Sequence, residues 1–541
     1  MSVRAQIATA LEAAARRVGA DGDLPDLELA RARNPAHGDY ASPVGLKLAR
    51  ALRRPPPEIA AEVATRVRIA GVSAEALGGY VNFRLTPEWL RELVAGVAAD
   101  PEYGGSRVGG GQKVQVEFLS TNPTGPFHVG HGRGAILGDS LARLLEFTGH
   151  RVQREYYVND QNTQAKKFGE SILARYQGEK PPEGGYQGEY VKPIAEEARE
   201  RGLPATADAL RRFGIERMIE QYQQLLGRLR IRYDEWFFES EIWNQDLGQQ
   251  ALARLREAGF LKDRDGAVWF APPIDEKAGE EAGEEEEGRV LIRKSGEPTY
   301  LASDFGYLLS RFERRGFQRV IEVWGADHHG HAPRLKAGCA ALGIDPDRLV
   351  IILHQVVNLK EGRMSKRQGR FVTLEELVDR VGPDAVRYFY LLRSPDAMME
   401  FDLELAVSQS NENPVFYAQY AHARLANLEP FAAERRDLPE KPALDLLRQP
   451  WELDLAREIA FWPETVEQAA RLLEPHRLPY YVNGLADRVH GFYQAGNRDW
   501  SQRVVVDDPE LTRARLELCR AARGVLKKAL ELIGVSAPDR M

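Results

Sequence analysis

Residues 116–139 read VEFLSTNPTGPFHVGHGRGAILGD, and the fold class follows from this stretch. It opens on the β-branched and aromatic residues Val116 to Leu119, as a buried strand does. It breaks at Asn122-Pro123-Thr124-Gly125-Pro126, a cluster of turn formers. After His131 come small residues, then Ile136, Leu137, Leu141, Leu144 and Leu145 at helical spacing. The pattern predicts strand, tight loop and helix, with His128 and His131 at the loop-to-helix junction. Gly130, Gly132 and Gly134 leave room for a ligand to approach the backbone there. A helix N-terminus offers free N–H groups and partial positive charge, which suits phosphate. Two imidazoles at that point are placed to hydrogen-bond phosphoryl oxygens whose charge grows in a transition state. The stretch carries neither GxGxxG nor GxxxxGK[ST], so it is neither a dinucleotide fingerprint nor a Walker loop.

Outward from this stretch, the strand-like Glu155 to Val158 completes a β-α-β unit and so a parallel pair. Residues 161–232 are helical in pattern and interrupt the sheet. Val320 to Trp324 and Leu349 to Leu353 are further strand-like runs. The expected fold is α/β, a Rossmann-like doubly wound parallel sheet, with ligands beyond the carboxyl ends of the strands. HVGH and Gly325-Ala326-Asp327-His328 both fall there. Before it, Ile7 to Val18 reads as a helix, Pro55-Pro56-Pro57 as a helix start and Tyr80 to Leu85 as a strand. The Gly-rich piece Gly104 to Gly111 reads as a boundary loop. From about residue 400 the chain turns helical, with Pro414 to Leu428 and Leu511 to Leu532 as long amphipathic segments. The expected domains are a small α/β domain at 1–108, a catalytic domain at 113–399 with a helical insertion at 161–240, and an all-helical domain at 400–541.

A chain of 541 residues is too long for one core, and its 43% hydrophobic and 28% charged content is that of a soluble globular protein. No apolar run reaches bilayer length and the N-terminus has no signal-peptide core, so the expected location is cytoplasmic, with no membrane partner. Cys339 and Cys519 stand far apart, which excludes a disulfide framework and a CxxC zinc site; no metal site is expected. A net charge of -7 does not advertise a polyanion partner, so nucleic acid would need local basic patches. The acidic run Asp275 to Glu287 reads as a solvated loop between two strands. The basic row Arg513, Arg515, Arg520, Arg523, Lys527 and Lys528 suits either a solvated helix face or RNA backbone.

HVGH resembles the HIGH signature of class I aminoacyl-tRNA synthetases, and Arg363-Met364-Ser365-Lys366 resembles their KMSK loop, with Arg363 in place of the first Lys. The detailed likeness is to the arginyl-tRNA synthetase family and spans nearly the whole chain. It is carried by NPAHGDYAS at Asn34, GYVNFRL at Gly79, EFLSTNPTGPFHVGHGR at Glu117, EYYVND at Glu155, GEPTYLASD at Gly296, VWGADHHGH at Val323, SNENPVFYAQYAHAR at Ser410 and the C-terminal LIGVSAPDRM. The resemblance implies ATP and Mg²⁺ as cofactors, and arginine and an arginine-accepting tRNA as partners. It puts His128, His131 and Lys366 in catalysis, and His128, Gly130, His131, Met364, Ser365 and Lys366 on ATP. Glu117, Tyr300 and Asp304 would face the guanidinium, Asn122 the substrate's α-amino or carboxyl group, and His328 the same arginine site. Carboxylates agree with that role, because a planar guanidinium fork is best read by them. Residues 1–108 would touch the corner of tRNA, with Asn82 in contact. The helical domain would read the anticodon, with Tyr417 and Tyr420 facing its loop. A monomer is expected. The alternatives are another class I synthetase, disfavoured by the absence of zinc-spaced cysteines and by the carboxylates around the substrate, and a non-catalytic tRNA-binding paralogue, disfavoured by intact HVGH and MSK.

Overall fold

The computed structural model describes residues 2–20, 22–271, 289–360 and 373–541. Residues Gly109–Val407 form one compact unit, and Met1–Val108 pack with Ser408–Met541 in another.

In the Gly109–Val407 unit, β1 (Lys113–Phe118), β2 (Arg151–Val158), β3 (Glu235–Phe238), β4 (Arg319–Gly325) and β5 (Leu349–His354) form a parallel sheet in the order β5-β4-β1-β2-β3. The chain steps outward from β1 to β3 and then returns to the other side of β1. The topological switch point therefore lies between β1 and β4, where such sheets bind ligands. Helix α1 (Val129–Phe147) follows β1, and helices α2 (Thr163–Tyr176), α3 (Val191–Glu200) and α4 (Ala207–Arg228) separate β2 from β3. The expected insertion at 161–240 thus runs too far, because Glu235–Phe238 pairs with β2 as the edge strand. The acidic run 275–287 lies outside the described residues. Strand Met399–Phe401 pairs in parallel with Val357–Leu359, so this unit continues past residue 399.

Helix α1 is buried along most of its length. Its glycines have a packing reason. A Cβ on Gly138 would lie 2.2 Å from Phe118 Cγ, one on Gly132 2.8 Å from Leu374 Cδ1, and one on Gly134 2.8 Å from His354 Nε2. Gly132 and Gly134 therefore make room for protein side chains rather than for a ligand. Helix α6 (Leu374–Leu391) holds α1 in place: Arg387 pairs with Asp139, both fully buried, at 2.5 Å. Buried Arg133 donates to the carbonyls of Gln355, Ala397 and Ser394 at 2.8–2.9 Å.

In the other unit, strands Ala30–Arg31, Tyr40–Ser42, Tyr80–Leu85 and Val72–Leu77 form an antiparallel sheet in that spatial order. Helix Pro87–Ala99 joins it to the C-terminal helices, which include α7 (Pro414–Ala433), α8 (Arg477–Arg498) and α9 (Pro509–Leu532). The basic row on α9 is committed internally. Arg515 is buried on Glu452 at 2.7 Å, and Arg513 pairs with Glu517, Arg520 with Glu429, Arg523 with Asp539 and Lys528 with Glu102. Lys527 is exposed.

Two glycine substitutions test this packing. Gly138→Ala forces Phe118 to move and is expected to destabilise the sheet unit by about 1–3 kcal/mol. Gly524→Ala, inside α9 with no atom within 4 Å of its Cβ, is expected to stabilise by roughly 0.5–1 kcal/mol. Thermal unfolding of the two variants should move in opposite directions.

Candidate active site

His128 caps α1, and its Nδ1 accepts the Gly130 N–H at 3.1 Å. His131 Nδ1 in turn accepts the His128 N–H at 3.2 Å, and the two rings stack with centroids 3.4 Å apart. Both Nδ1 atoms are acceptors, so each neutral ring carries its proton on Nε2. Burial lowers the His128 pKa, and burial together with the neighbouring His128 and His354 takes His131 down to about 3. Both rings are therefore neutral Nε2–H donors at the mouth of a helix N-terminus.

A carboxylate ladder crosses the switch point. Glu117 on β1 is the register partner of Glu155 on β2 and of Glu322 on β4, so the three side chains leave one face of the sheet side by side. All three are buried. Helix α5 (Tyr300–Leu309) covers this face and continues as a π-helical turn, Ser310–Arg314. That turn inserts Arg311 between Glu117, at 3.3 Å, and Glu322. Arg315 and the Tyr307 hydroxyl hold Glu155. Burial and the charge of Glu322 push Glu117 up to about 8 against the opposing pull of Arg311, and burial likewise raises Glu322.

Beside the ladder lies a second acidic group. Glu239, at the carboxyl end of β3, is buried, and its Oε2 has no hydrogen-bond partner among the described residues. Burial pushes it up to about 7, with the charges of Asp304 and Asp160 adding to the rise and a hydrogen bond with Ser303 opposing it. The Tyr157 hydroxyl is also buried without a partner among the described residues, and the charges of Glu239, Asp304, Glu117 and Asp160 all bear on it. Carboxylates thus converge around one phenol, an arrangement that suits a cationic ligand with several N–H donors. Among the described residues no group of His, Cys, Asp or Glu is arranged to hold a metal ion.

Tyr300 opens α5 and is exposed, one turn from half-buried Asp304. Asn122 is tied to the insertion, donating to Gln164 at 2.9 Å and accepting from Asn162 at 2.6 Å. His328 is exposed, its ring 6.2 Å from Trp324. The histidine that reaches Asp304 is instead His331, with Nε2 2.8 Å from Oδ2. Sequence reasoning passed over Glu239 and gave His328, not His331, to the arginine site. Glu239 was findable as an acid directly after a strand, at its carboxyl end. Met364, Ser365 and Lys366 lie outside the described residues.

In the other unit, a cavity of about 470 Å³ lies between α7 and α8, lined by Tyr417, Arg424, Asp487, His490, Tyr493 and neighbouring polar residues. Tyr417 and Tyr420 are half-buried, their rings 4.2 and 5.8 Å from that of His490, and Arg424 lies 4.1 Å over the Tyr420 ring. Asn82 is half-buried on strand Tyr80–Leu85, two residues from exposed Tyr80.

Comparison with known proteins identifies the domains that carry these residues. Residues 94–183 and 194–428 match the model described as tRNA synthetases class I (R), catalytic domain; residues 1–85 match the arginyl tRNA synthetase N terminal domain and residues 418–541 the DALR anticodon binding domain. The chain is 42% identical to an arginine–tRNA ligase of Moorella thermoacetica over 99% of this chain and 98% of that one. It is 42% identical to one of Syntrophotalea carbinolica over 96% of each. A Thermus thermophilus arginyl-tRNA synthetase structure, 24% identical, superposes with a TM-score of 0.78 over 100% of both chains, which shows the shared fold.

Glu239 supplies a test of the pocket's electrostatics. Its folded pKa of about 7 lies above the ordinary 4.5, so between those values the native state holds the proton that the unfolded state has lost. Stability from this group is then lost as pH rises through that window. Glu239→Gln is expected to raise stability near pH 8 by on the order of 2–3 kcal/mol and to change it little near pH 4.5. Thermal unfolding at the two pH values measures the difference.

Proposed function

Because the chain belongs to the arginyl-tRNA synthetase family, we propose that Glu117, Glu239, Asp304, Tyr157 and Tyr300 form its arginine subsite and that His128 and His131 serve the adenylation step beside it. The activity is that of an arginine–tRNA ligase: L-arginine is activated with ATP to arginyl-adenylate and transferred to the 3′-terminal adenosine of cognate tRNA. The family match removes the alternatives of another class I synthetase and of a non-catalytic paralogue. The observation that carries the assignment of residues is the buried, incompletely paired carboxylate cluster beside neutral Nε2–H donors at the switch point of the sheet.

The guanidinium enters the acidic pocket, where Glu239 and Asp304 accept its N–H groups. Glu117, pinned by Arg311 and pushed up to about 8, lines the sheet side of the pocket and gains its charge more readily once a cation is there, and Asn122 takes the α-amino or carboxyl group. The arginine carboxylate oxygen attacks the α-phosphorus of ATP in line. That P–O bond forms as the bond to the β-phosphate bridging oxygen breaks, and pyrophosphate leaves with the electron pair. His128 and His131 donate Nε2–H bonds to the phosphoryl oxygens as their charge grows, at no cost of removing a proton from a cation. Gly130 belongs to the same phosphate-facing turn, and Met364, Ser365 and Lys366 are assigned to ATP by their sequence motif alone. A ribose hydroxyl of the tRNA terminus then attacks the activated carbonyl, and AMP leaves. Mg²⁺ would supply charge neutralisation on the phosphates of ATP.

The catalytic role is assigned to the Gly109–Val407 unit, the tRNA-corner contact to 1–108 through Asn82, and anticodon reading to the helical segment after residue 407 through the cavity lined by Tyr417 and Arg424, with Tyr420 beside it. Aromatic rings and a guanidinium around a polar cavity suit unstacked bases. The assigned setting is a cytoplasmic monomer; among the described residues no helix is long and apolar enough to cross a membrane.

Amino-acid-dependent ATP–pyrophosphate exchange across all twenty amino acids, with and without tRNA, tests the whole assignment; exchange with an amino acid other than arginine would refute it. Within that assay, Asp304→Asn is expected to weaken arginine by roughly 2–5 kcal/mol while ATP binding holds, because a desolvated guanidinium loses its charged acceptor. His131→Ala is expected to lower the adenylation rate by about 3 kcal/mol with arginine binding kept. For the second cavity, tRNAs altered only in the anticodon should be charged at different rates by the intact protein, and Arg424→Met should narrow those differences.

A further inference from the structure

His331 sits at the head of helix Ala332–Ala341, between the rings of Tyr300, at 5.3 Å, and Trp324, at 5.6 Å. Its Nε2 meets Asp304 Oδ2 at 2.8 Å, and its buried Nδ1 has no hydrogen-bond partner among the described residues. The charged groups that bear on it are Asp304 from α5, Glu322 from β4 and Arg334 from its own helix. Burial alone would lower its pKa, but the Asp304 hydrogen bond and the two carboxylate charges outweigh burial and Arg334, and the imidazole is raised above its ordinary value. A protonated imidazole is a planar cation with N–H donors, and it stands on the same carboxylate that a substrate guanidinium would take.

We propose that His331 is the resident counter-ion of the arginine subsite, holding Asp304 in place while the site is empty and giving up its proton to solvent when the guanidinium arrives. The inference rests on Asp304 being an arginine acceptor. Two cations on one half-buried carboxylate repel each other. The substrate's guanidinium keeps its charge throughout the physiological range, whereas the imidazole can lose its own. The neutral ring still donates from Nε2 to Asp304, so the carboxylate keeps its orientation. His331 is thus a positioning residue whose charge opposes arginine binding below its pKa and ceases to oppose it above.

Glu239 and Glu117 also ionise with rising pH and favour arginine in the same direction, so the wild-type profile alone does not identify His331. The ratio between variants does. His331→Gln keeps a neutral donor near the Nε2 position. Its arginine affinity, relative to the wild type, is expected to be about threefold to tenfold higher near pH 6 and to converge near pH 8.5. On the unmodified protein, calorimetry of arginine binding near pH 6.5 in buffers of different ionisation enthalpy should show proton release, and His331→Gln should release less. A ratio independent of pH, or equal proton release, overturns the proposal. Asp304→Asn separates the two levels: normal arginine affinity in that variant removes Asp304 from the subsite and the proposal with it, whereas weakened affinity alongside a flat His331→Gln ratio defeats the proposal alone.

Discussion

The in-register row of Glu155, Glu117 and Glu322 is the constraint on which the catalytic unit turns. Three carboxylates on adjacent strands, all buried, cannot remain charged in a dry layer without cations. The π-helical turn after α5 supplies Arg311, and Arg315 directly follows it, so that one lies between Glu117 and Glu322 and the other on Glu155. Tyr307 lies under Arg311 at 3.9 Å and fills the remaining space with a ring face. Two guanidinium groups leave one carboxyl of the row without a cation, and Glu117, pushed up to about 8, holds its proton at neutral pH. The departure from α-helical geometry at 310–314 is thus where the fold meets its electrostatics, since a π turn shifts which side chains face the sheet. A substrate cation completes the balance without the protein having to bury a further charge of its own.

The loop from β1 to His128 is fixed by a different device. Leu119, directly after β1, sits at φ +70°, the left-handed region that costs a non-glycine residue about 1–3 kcal/mol. Four tyrosine hydroxyls hold the carbonyls around it: Tyr233 on Phe118 and Tyr156 on Thr121 at 2.9 Å, Tyr190 on Thr124 and Tyr222 on Gly125 at 2.6 Å. Tyr190 and Tyr222 come from the insertion at α3 and α4, and the Tyr222 ring stacks on Phe127 at 3.9 Å. Each bond is worth about 1 kcal/mol net, enough together to offset the strained leucine. The insertion therefore has a direct hold on the loop that presents Asn122 and His128.

The parts of this site that sequence made legible are those carried by local spacing. HVGH after a strand-like run, and Tyr300 one turn before Asp304, follow from periods within one element, and both elements form as expected. The glutamate row was not legible, because it depends on which strands are neighbours and in what register. Read alone, Glu117 was a guanidinium ligand; in the fold it also faces the protein's own Arg311. The same limit applies to α9, where a row of basic residues suggested phosphate. Its partners Glu452, Glu429 and Glu102 come from distant parts of the chain, and together with Asp539 just past the helix they claim most of the row. Composition records a cation; only tertiary packing records whether it is already paired.

The boundary loop shows the reverse case, a sequence signal with two causes. Gly104 to Gly111 marks the division near residue 108, yet Gly104 is glycine for a packing reason as well. Its φ is +94°, and a Cβ there would lie 2.2 Å from Trp462 Nε1, which donates to Tyr103 O at 2.9 Å. Trp462 is fully buried and comes from the C-terminal half of the same unit. Nearby, buried Glu464 accepts the Tyr40 hydroxyl at 2.8 Å and pairs with Arg4 and Arg31 at 3.5 Å. A single carboxylate serving three donors from the N-terminal domain contributes little net stability, since its desolvation offsets most of the gain. It does punish any other docking, because a misplaced helix would leave the glutamate and the Tyr40 hydroxyl buried and unpaired. The two ends of the chain, more than 350 residues apart in the Trp462–Tyr103 bond, are thereby held in one arrangement. Asn82 and the cavity of Tyr417 consequently belong to one body, although the whole catalytic unit separates them in sequence.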